Sequence, residues 1–147
     1  NATIFLVVAT ASALGQILLI YNVPDALVKA LSGLADNAAL LLFIIILMLL
    51  ILGTFMDALA NILILTPLLQ PLVVGAGIDM THFGIIMIAT VSLGFLTPPV
   101  GVNLFVGCGI SGISIEHLSY AVLPFIFTML LAILILAYVP GIVLCLL

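Results

Sequence analysis

The chain has 147 residues, of which 67% are hydrophobic and only 4% are charged, and its mean hydropathy is +1.70. Because a soluble domain carries about 25% charged residues, this composition cannot cover a water-exposed surface. Apolar runs close to the roughly 20 residues that a helix needs to cross a bilayer recur along the chain, which predicts an all-α polytopic membrane protein in a lipid bilayer. With one Lys and no Arg, the sequence offers no basic surface for nucleic acid and no basis for assigning a membrane orientation.

Residues 1–36 are predicted to form a transmembrane helix and then an amphipathic helix along the membrane surface, on the scaffold side of the protein. The apolar run 2–20 is followed by Pro24, which prevents a helix from running straight through. Apolar residues then recur at helical spacing, while Asp25 and Lys29 provide a polar face.

Residues 37–74 are predicted to form a re-entrant helical hairpin. The apolar stretches 37–52 and 62–74 are each short for a complete crossing, and a polar tip that begins at Gly53 separates them. One long interrupted helix is the alternative. Irregular backbone at membrane depth is tolerated only where protein or a cavity satisfies its polar groups, so we expect the tip to lie inside the protein.

Residues 80–110 are predicted to form a discontinuous transmembrane helix, with Thr81 as its N-cap and His82 at the membrane interface. Pro98 and Pro99 remove two backbone donors and clash with the preceding turn, so a helix cannot pass through them unbroken. The apolar sequence on either side is too short to span the membrane alone.

Residues 114–147 are predicted to form a C-terminal transmembrane helix. Pro124 lies in its first turns and Pro140 marks its far end. Tyr120 and Tyr138 lie near the two ends, as an aromatic belt at the membrane interfaces would place them.

The two interruptions carry the residues that we expect to form a binding site. Unwound backbone exposes carbonyl groups and helix ends that can bind a dehydrated cation or an anionic group of a substrate. The residues there are small or carry neutral oxygen atoms: Gly53 and Thr54 at the hairpin tip, and Gly94, Thr97, Pro98, Pro99, Gly101 and Asn103 at the break. A proline kink used only for packing is the alternative. We predict that the backbone leaves helical geometry around residues 53–55 and 96–99, and that the two breaks approach each other.

Asp57 is the only ionisable residue that we expect well inside the membrane. An unpaired carboxylate there is unfavourable, so it binds a cation, relays a proton or is protonated. Alternatively it caps the second arm of the hairpin, and the two roles are compatible. Asn61 follows one helical turn later and is expected to share its face. Thr66 and Ser92 are expected to bond back to preceding helical carbonyls.

Two stretches, LGTFMDALANILILTPLLQPL and GIDMTHFGIIMIATVSLGFLTPPVGVNLFV, closely resemble the C-terminal half of the large membrane subunit of tripartite ATP-independent periplasmic (TRAP) transporters. The segment VATASALGQILLIYNVPDALVKAL resembles the helix and surface segment that precede the second hairpin in that family. The block LTPPVGVNLFV is the most specific part, because the leucine-rich flanks are common in membrane proteins.

The resemblance implies one of two inverted repeats of an ion-transporter superfamily fold, located in the inner or cytoplasmic membrane of a bacterium or archaeon. It implies sodium-driven symport of a carboxylate solute by an elevator mechanism. The implied partners are a periplasmic substrate-binding protein, a small four-helix membrane subunit and the remaining half of the large subunit, without which this half is not expected to transport. By the same resemblance, carbonyl oxygens of Gly53, Gly94, Thr97 and Val100 would bind a sodium ion.

Three other functions are weighed against this one. A transporter of the same superfamily without a binding protein would take up its solute independently of a soluble receptor. A channel or structural membrane subunit would present a pore ring formed by oligomerisation. An enzyme is not indicated, because the sequence shows no set of acid, base and nucleophile and no paired-histidine metal spacing.

Overall fold

The computed structural model describes residues 2–35, 37–98 and 100–145, and every regular element in these residues is an α-helix. The described helices are α1 Ala2–Ile20, α2 Val23–Ala35, α3 Ala38–Phe55, α4 Ala58–Gly75, α5 Met80–Gly94, α6 Val102–Ser111, α7 Ile115–Tyr138 and α8 Pro140–Leu144. Three of them, α3, α4 and α7, are long and apolar enough to cross a membrane, and the bent pair α1–α2 would make a fourth crossing. The predicted all-α architecture is confirmed at this level.

The bend between α1 and α2 is 60° and occurs at Tyr21 and Asn22. Asn22 has a φ of 55°, a left-handed conformation that Asn tolerates better than most residues. Pro24 lies in the first turn of α2, where a backbone donor has no helical partner to lose. Helix α2 is amphipathic in the structure, since Asp25 is exposed whereas Leu27 is half-buried and packs on the hydrophobic core.

The helices predicted to form the two arms of a hairpin, α3 and α4, are longer than the sequence suggested, and the break between them lies later. Helix α3 continues through Gly53 to Phe55, so the prediction of a break at residues 53–55 is wrong by a few positions. The Met56 N–H still donates to the Leu52 carbonyl at 2.9 Å, and the chain leaves the helix only at Met56 and Asp57. Each arm has 18 residues, or about 27 Å of helix, which is more than the short arms expected.

The two arms have different main neighbours. Helix α3 packs chiefly against α5, whereas α4 packs chiefly against α1, α2 and α5. The main hydrophobic core lies where α3, α4 and α5 meet, and it includes Leu41, Ile45, Leu49, Leu65, Leu69, Phe83 and Met87. This core fixes how the ends of the three helices are placed relative to one another.

Helix α5 is capped by Asp79, and the prediction that Thr81 is the N-cap is wrong. The Asp79 carboxylate accepts hydrogen bonds from the backbone N–H groups of Thr81 at 2.8 Å and His82 at 3.0 Å. These bonds hold the pKa of the Asp79 carboxyl below its usual value, because they favour the charged form, and the bond from the His82 N–H has the largest effect. Thr81 therefore lies inside the first turn of the helix.

Helix α7 ends at Tyr138, and Val139 separates it from the short helix α8, which begins at Pro140. Pro140 has no N–H, so the Leu136 carbonyl loses the donor that a continuing helix would provide. The His82 imidazole Nε2 lies 2.9 Å from the Leu136 oxygen and supplies that hydrogen bond from α5. His82 is buried inside the protein, and its place at the membrane interface stays a prediction.

Candidate functional site

Helices α3 and α5 come into direct backbone contact at Gly53 and Gly94. A Cβ atom placed on Gly94 would lie 2.7 Å from the Gly53 carbonyl carbon and 2.8 Å from its Cα. Since carbon atoms in contact prefer separations of about 3.5–4.0 Å, only glycine fits at position 94. The contact is made by the last turns of both helices, immediately before the chain leaves each of them.

The last turns of two helices therefore meet at this glycine crossing. The last four carbonyls of a helix have no helical N–H partner, and the C-terminus carries a partial negative charge of about half an elementary charge. Hydroxyl groups bond to carbonyls near both ends, since Thr54 donates to the Ile51 carbonyl at 2.7 Å and Thr97 donates to the Leu93 carbonyl at 2.9 Å. The combined field of the two helix ends at the crossing favours a cation.

A compact turn connects α5 to α6. The Thr97 N–H donates to the Gly94 carbonyl at 3.0 Å, and the Asn103 N–H donates back to the Phe95 carbonyl at 3.2 Å, which closes the turn. Gly101 has a φ of 43°, and a Cβ there would lie 3.1 Å from both the Phe95 and the Thr97 carbonyl oxygens. Helix α5 thus ends at Gly94 and α6 begins at Val102, and the backbone is non-helical at residues 96–98 as predicted. Pro99 lies outside the described residues.

Val100 lies in the same turn and is half-buried. Pro98 is also half-buried, but it faces a different space. Together with Glu116, Ser119 and Tyr120 it lines a cavity of about 310 Å³ beside the start of α7. Pro98 therefore borders α7 as well as belonging to the break.

A second, smaller cleft of about 160 Å³ lies between the α3–α4 connection and the α5–α6 break, lined by Asp57, Phe95, Val102 and Asn103. Asp57 is the N-cap of α4, and its Oδ2 accepts a hydrogen bond from the Leu59 N–H at 3.0 Å. The capping role weighed for Asp57 is thus present in the structure. The same residue borders the cleft, so an electrostatic role is geometrically compatible with capping.

Asn61 lies one turn farther along α4 and is fully buried. Neither atom of its amide group has a hydrogen-bond partner among the described residues. The hydroxyl groups of Ser92 and Thr66 differ from it. Ser92 bonds back to the Ile88 carbonyl at 2.7 Å as predicted, whereas the Thr66 hydroxyl lies 3.5 Å from the Met87 sulfur on α5 instead.

Two walls of the smaller cleft, Phe95 and Val102, were not among the residues singled out from the sequence. Both are apolar residues in apolar sequence, so no local signal distinguishes them. The hydrogen bond by which the Asn103 N–H closes the turn could not be predicted from the sequence either, because it depends on backbone geometry alone.

Comparison with known proteins identifies the family to which the chain belongs. The profile described as "Tripartite ATP-independent periplasmic transporter, DctM component" matches residues 1–142. The chain is 47% identical to the isethionate TRAP transporter permease protein DctMQ of Oleidesulfovibrio alaskensis, over 97% of this chain and 22% of that protein. It is 34% identical to the C4-dicarboxylate TRAP transporter large permease protein DctM of Pseudomonas aeruginosa, over 95% of this chain and 33% of that protein.

A third relative is the sialic acid TRAP transporter large permease protein SiaM of Vibrio cholerae, which is 34% identical over 95% of this chain and 33% of that protein. The chain thus spans between about a fifth and a third of the length of these relatives. All three are transport permeases and not enzymes. Because the profile covers nearly the whole chain, this protein belongs to the DctM component family of tripartite ATP-independent periplasmic transporters.

Proposed function

We propose that this chain forms one repeat of the translocating domain of a TRAP transporter large subunit and carries a sodium site at the glycine crossing. The observation that carries the proposal is the contact between Gly53 and Gly94, which brings two negative helix ends together. In this proposal, α3 and α4 form the re-entrant hairpin, and α5 and α6 form one discontinuous crossing. Helices α3 and α5, joined tightly at Gly53 and Gly94, would move as one body, as an elevator mechanism requires.

The residues at the crossing fit a sodium ion. Backbone carbonyls at broken helices are ligands of sodium in secondary transporters, and they bind a cation without burying a carboxylate in lipid. We assign the carbonyl oxygens of Gly53, Gly94, Thr97 and Val100 to the ion. The absence of a side chain at Gly94 is what allows the two helix ends to approach so closely. A bound ion would supply the positive charge that an anionic solute needs nearby.

The cleft beside the crossing has the opposite polarity and fits the anionic part of a solute. Helices α4 and α6 both begin there, and the N-terminus of a helix carries a partial positive charge and free N–H groups. None of the four residues that line the cleft is cationic, and Asp57 carries a carboxylate. An anion therefore binds well only when a cation is bound beside it, which provides a physical basis for coupled transport.

We propose carboxylate-bearing solutes as the substrate class. Relatives are named for C4-dicarboxylates and for sialic acid, which carry carboxylates. The relative named for isethionate, a sulfonate, extends the candidate class to that anion. By the same family membership, we propose three partners at the bacterial inner membrane: the rest of the large subunit, a small membrane subunit and a periplasmic binding protein.

Uptake into proteoliposomes tests the proposal with the complete transporter, its small subunit and its soluble binding protein. We expect solute uptake only when sodium is present outside and the binding protein is added. Replacing Thr97 with Val keeps the shape of the side chain but removes the hydroxyl that bonds to the Leu93 carbonyl, so the sodium requirement should rise while assembly is retained. Uptake that ignores sodium would contradict the proposed coupling. Uptake without the binding protein would favour a receptor-independent transporter, and uncoupled flux would favour a channel.

A further inference from the structure

Asn61 stands apart from the other buried polar residues near the glycine crossing. Its side chain is fully buried, and neither the amide nitrogen nor the amide oxygen has a partner among the described residues. Thr54 and Thr90 are also buried, but each donates to a helix carbonyl at 2.7 Å. Buried polar groups in proteins are paired in about 90% or more of cases, so an amide with two unpaired atoms indicates a ligand or water beside it.

The alignment of α4 and α5 places the Asn61 amide at the same level along the helices as the glycine crossing. The two helices run antiparallel, because α4 begins and α5 ends near the glycine crossing. Thr66 on α4 lies level with Met87 on α5, since their side chains meet at 3.5 Å. Asn61 precedes Thr66 by five residues, or about 7.5 Å of helix, which makes it level with Val91 and Ser92.

Val91 belongs to the crossing itself, because a Cβ on Gly53 would lie 3.4 Å from both its Cα and its carbonyl oxygen. Side chains of a helix lean toward its N-terminus, so the Asn61 amide extends from this level toward Gly94 and the cleft. Asp57, one turn earlier on the same face of α4, lines that cleft. The unpaired amide is thus level with the crossing and leans toward the end of α4 that borders the cleft.

We propose that Asn61 is the side-chain ligand of the sodium site, supplying its amide oxygen to the ion directly or through one water molecule. This inference rests on the proposed function, and it adds a side chain to a site otherwise built from carbonyls. An amide oxygen is a hard ligand of the kind that hard cations take. Because it is neutral, it leaves the charge of the ion available to an anionic solute, as a buried carboxylate would not.

The test is a sodium titration of thermal stability in the purified complete transporter, with potassium at equal ionic strength as the control for ion specificity. Asn61→Leu keeps a similar volume but removes both amide atoms. We expect the sodium concentration for half-maximal stabilisation to rise roughly tenfold to a hundredfold. Without sodium, the melting temperature of this variant should equal or exceed that of the wild type, because an unpaired buried amide has been removed.

Two further variants separate a sodium ligand from a structural amide. Asn61→Asp retains the oxygen but adds a charge, so it should melt lower than the wild type without sodium and show a larger sodium-induced shift. Thr90→Val is the matched control, because Thr90 is equally buried but its hydroxyl is already bonded to the Ile86 carbonyl. It should leave the sodium titration unchanged.

A wild-type sodium titration in Asn61→Leu, with a lower melting temperature in sodium-free buffer, would overturn the inference and assign the amide to a structural water. If Asn61→Leu does not fold, Asn61→Asp decides, and a shift no larger than that of the wild type would overturn it. If the wild type itself shows no stabilisation specific to sodium, the proposed sodium site fails, and the role of Asn61 fails with it.

Discussion

Replacing Gly94 with Ala should destabilise the transporter and weaken its sodium dependence together. The new Cβ would lie 2.7 Å from the Gly53 carbonyl carbon, about 1 Å inside the preferred carbon contact distance. The atoms it meets are backbone and cannot rotate away, so α3 and α5 must separate by a similar amount. Overpacking of this kind typically costs about 1–3 kcal/mol. The separation also moves the carbonyls of Gly53 and Gly94 apart, so the ion is bound less tightly. Thermal unfolding and sodium-dependent uptake of the complete transporter measure the two effects.

Substitutions at two other glycines calibrate this effect, with Gly84 as the matched control and Gly53 as the other side of the crossing. A Cβ on Gly84, in the same helix α5, would meet no atom within 4 Å. Gly84→Ala should therefore leave uptake unchanged and raise helix stability by about 0.5–1 kcal/mol. Gly53→Ala should lie between the two, because its Cβ contacts are 3.3–3.4 Å. If Gly94→Ala were as benign as Gly84→Ala in both assays, the close backbone approach could not be what positions the two helix ends.

Contacts away from the crossing give three more expected outcomes. Gly101→Ala should lower the free energy of unfolding by about 1–3 kcal/mol, because its φ is 43° and two carbonyl oxygens lie against its Cβ position. Gly112→Ala should cost less, because Gly112 has a φ of 73° but no atom within 4 Å of its Cβ position. Equal losses in the two variants would contradict this prediction. His82→Phe should lower the free energy of unfolding by about 1–3 kcal/mol, because it leaves the Leu136 carbonyl unpaired. It should not change the sodium requirement of uptake. A changed requirement would show that His82 acts at the sodium site. Asp57→Asn should retain the helix cap and raise the sodium requirement of uptake moderately. Asp57→Ala should lose the cap, which should lower the free energy of unfolding by about 0.5–2 kcal/mol. Equal, complete loss of uptake in both variants would favour a direct charge role for Asp57.

The helical segments and the break at Pro98 could be predicted from the sequence because both depend on local chemistry. Apolar length sets the helices, and two adjacent prolines remove two successive backbone donors, whereas the single prolines Pro67 and Pro71 are accommodated inside α4. The hairpin tip was misplaced because a glycine has two uses that look alike in a sequence. Gly53 was interpreted as a helix breaker, but in the structure it remains helical and its missing side chain admits Gly94.

The partners of buried polar residues could not be predicted, because they depend on distant parts of the chain. His82 bonds to Leu136, which is 54 residues away, and the need for that bond arises from Pro140. Asn61 was expected to share a face with Asp57, but nothing in its neighbours along the chain indicates full burial without a partner among the described residues. Asp79 and Thr81 are both good N-cap residues, and only the backbone shows that the helix begins after Asp79.

The most direct test of the sodium site is anomalous X-ray diffraction from crystals of the complete transporter soaked with thallium(I), a monovalent cation that reports cation sites by its scattering. We predict an anomalous peak at the glycine crossing, within coordination distance of the carbonyl oxygens of Gly53 and Gly94, with the Asn61 amide oxygen bound to it directly or through one water molecule. Excess sodium should abolish this peak. A sodium-sensitive peak elsewhere in the chain, with none at the crossing, would contradict the assignment of the sodium site to the two helix ends.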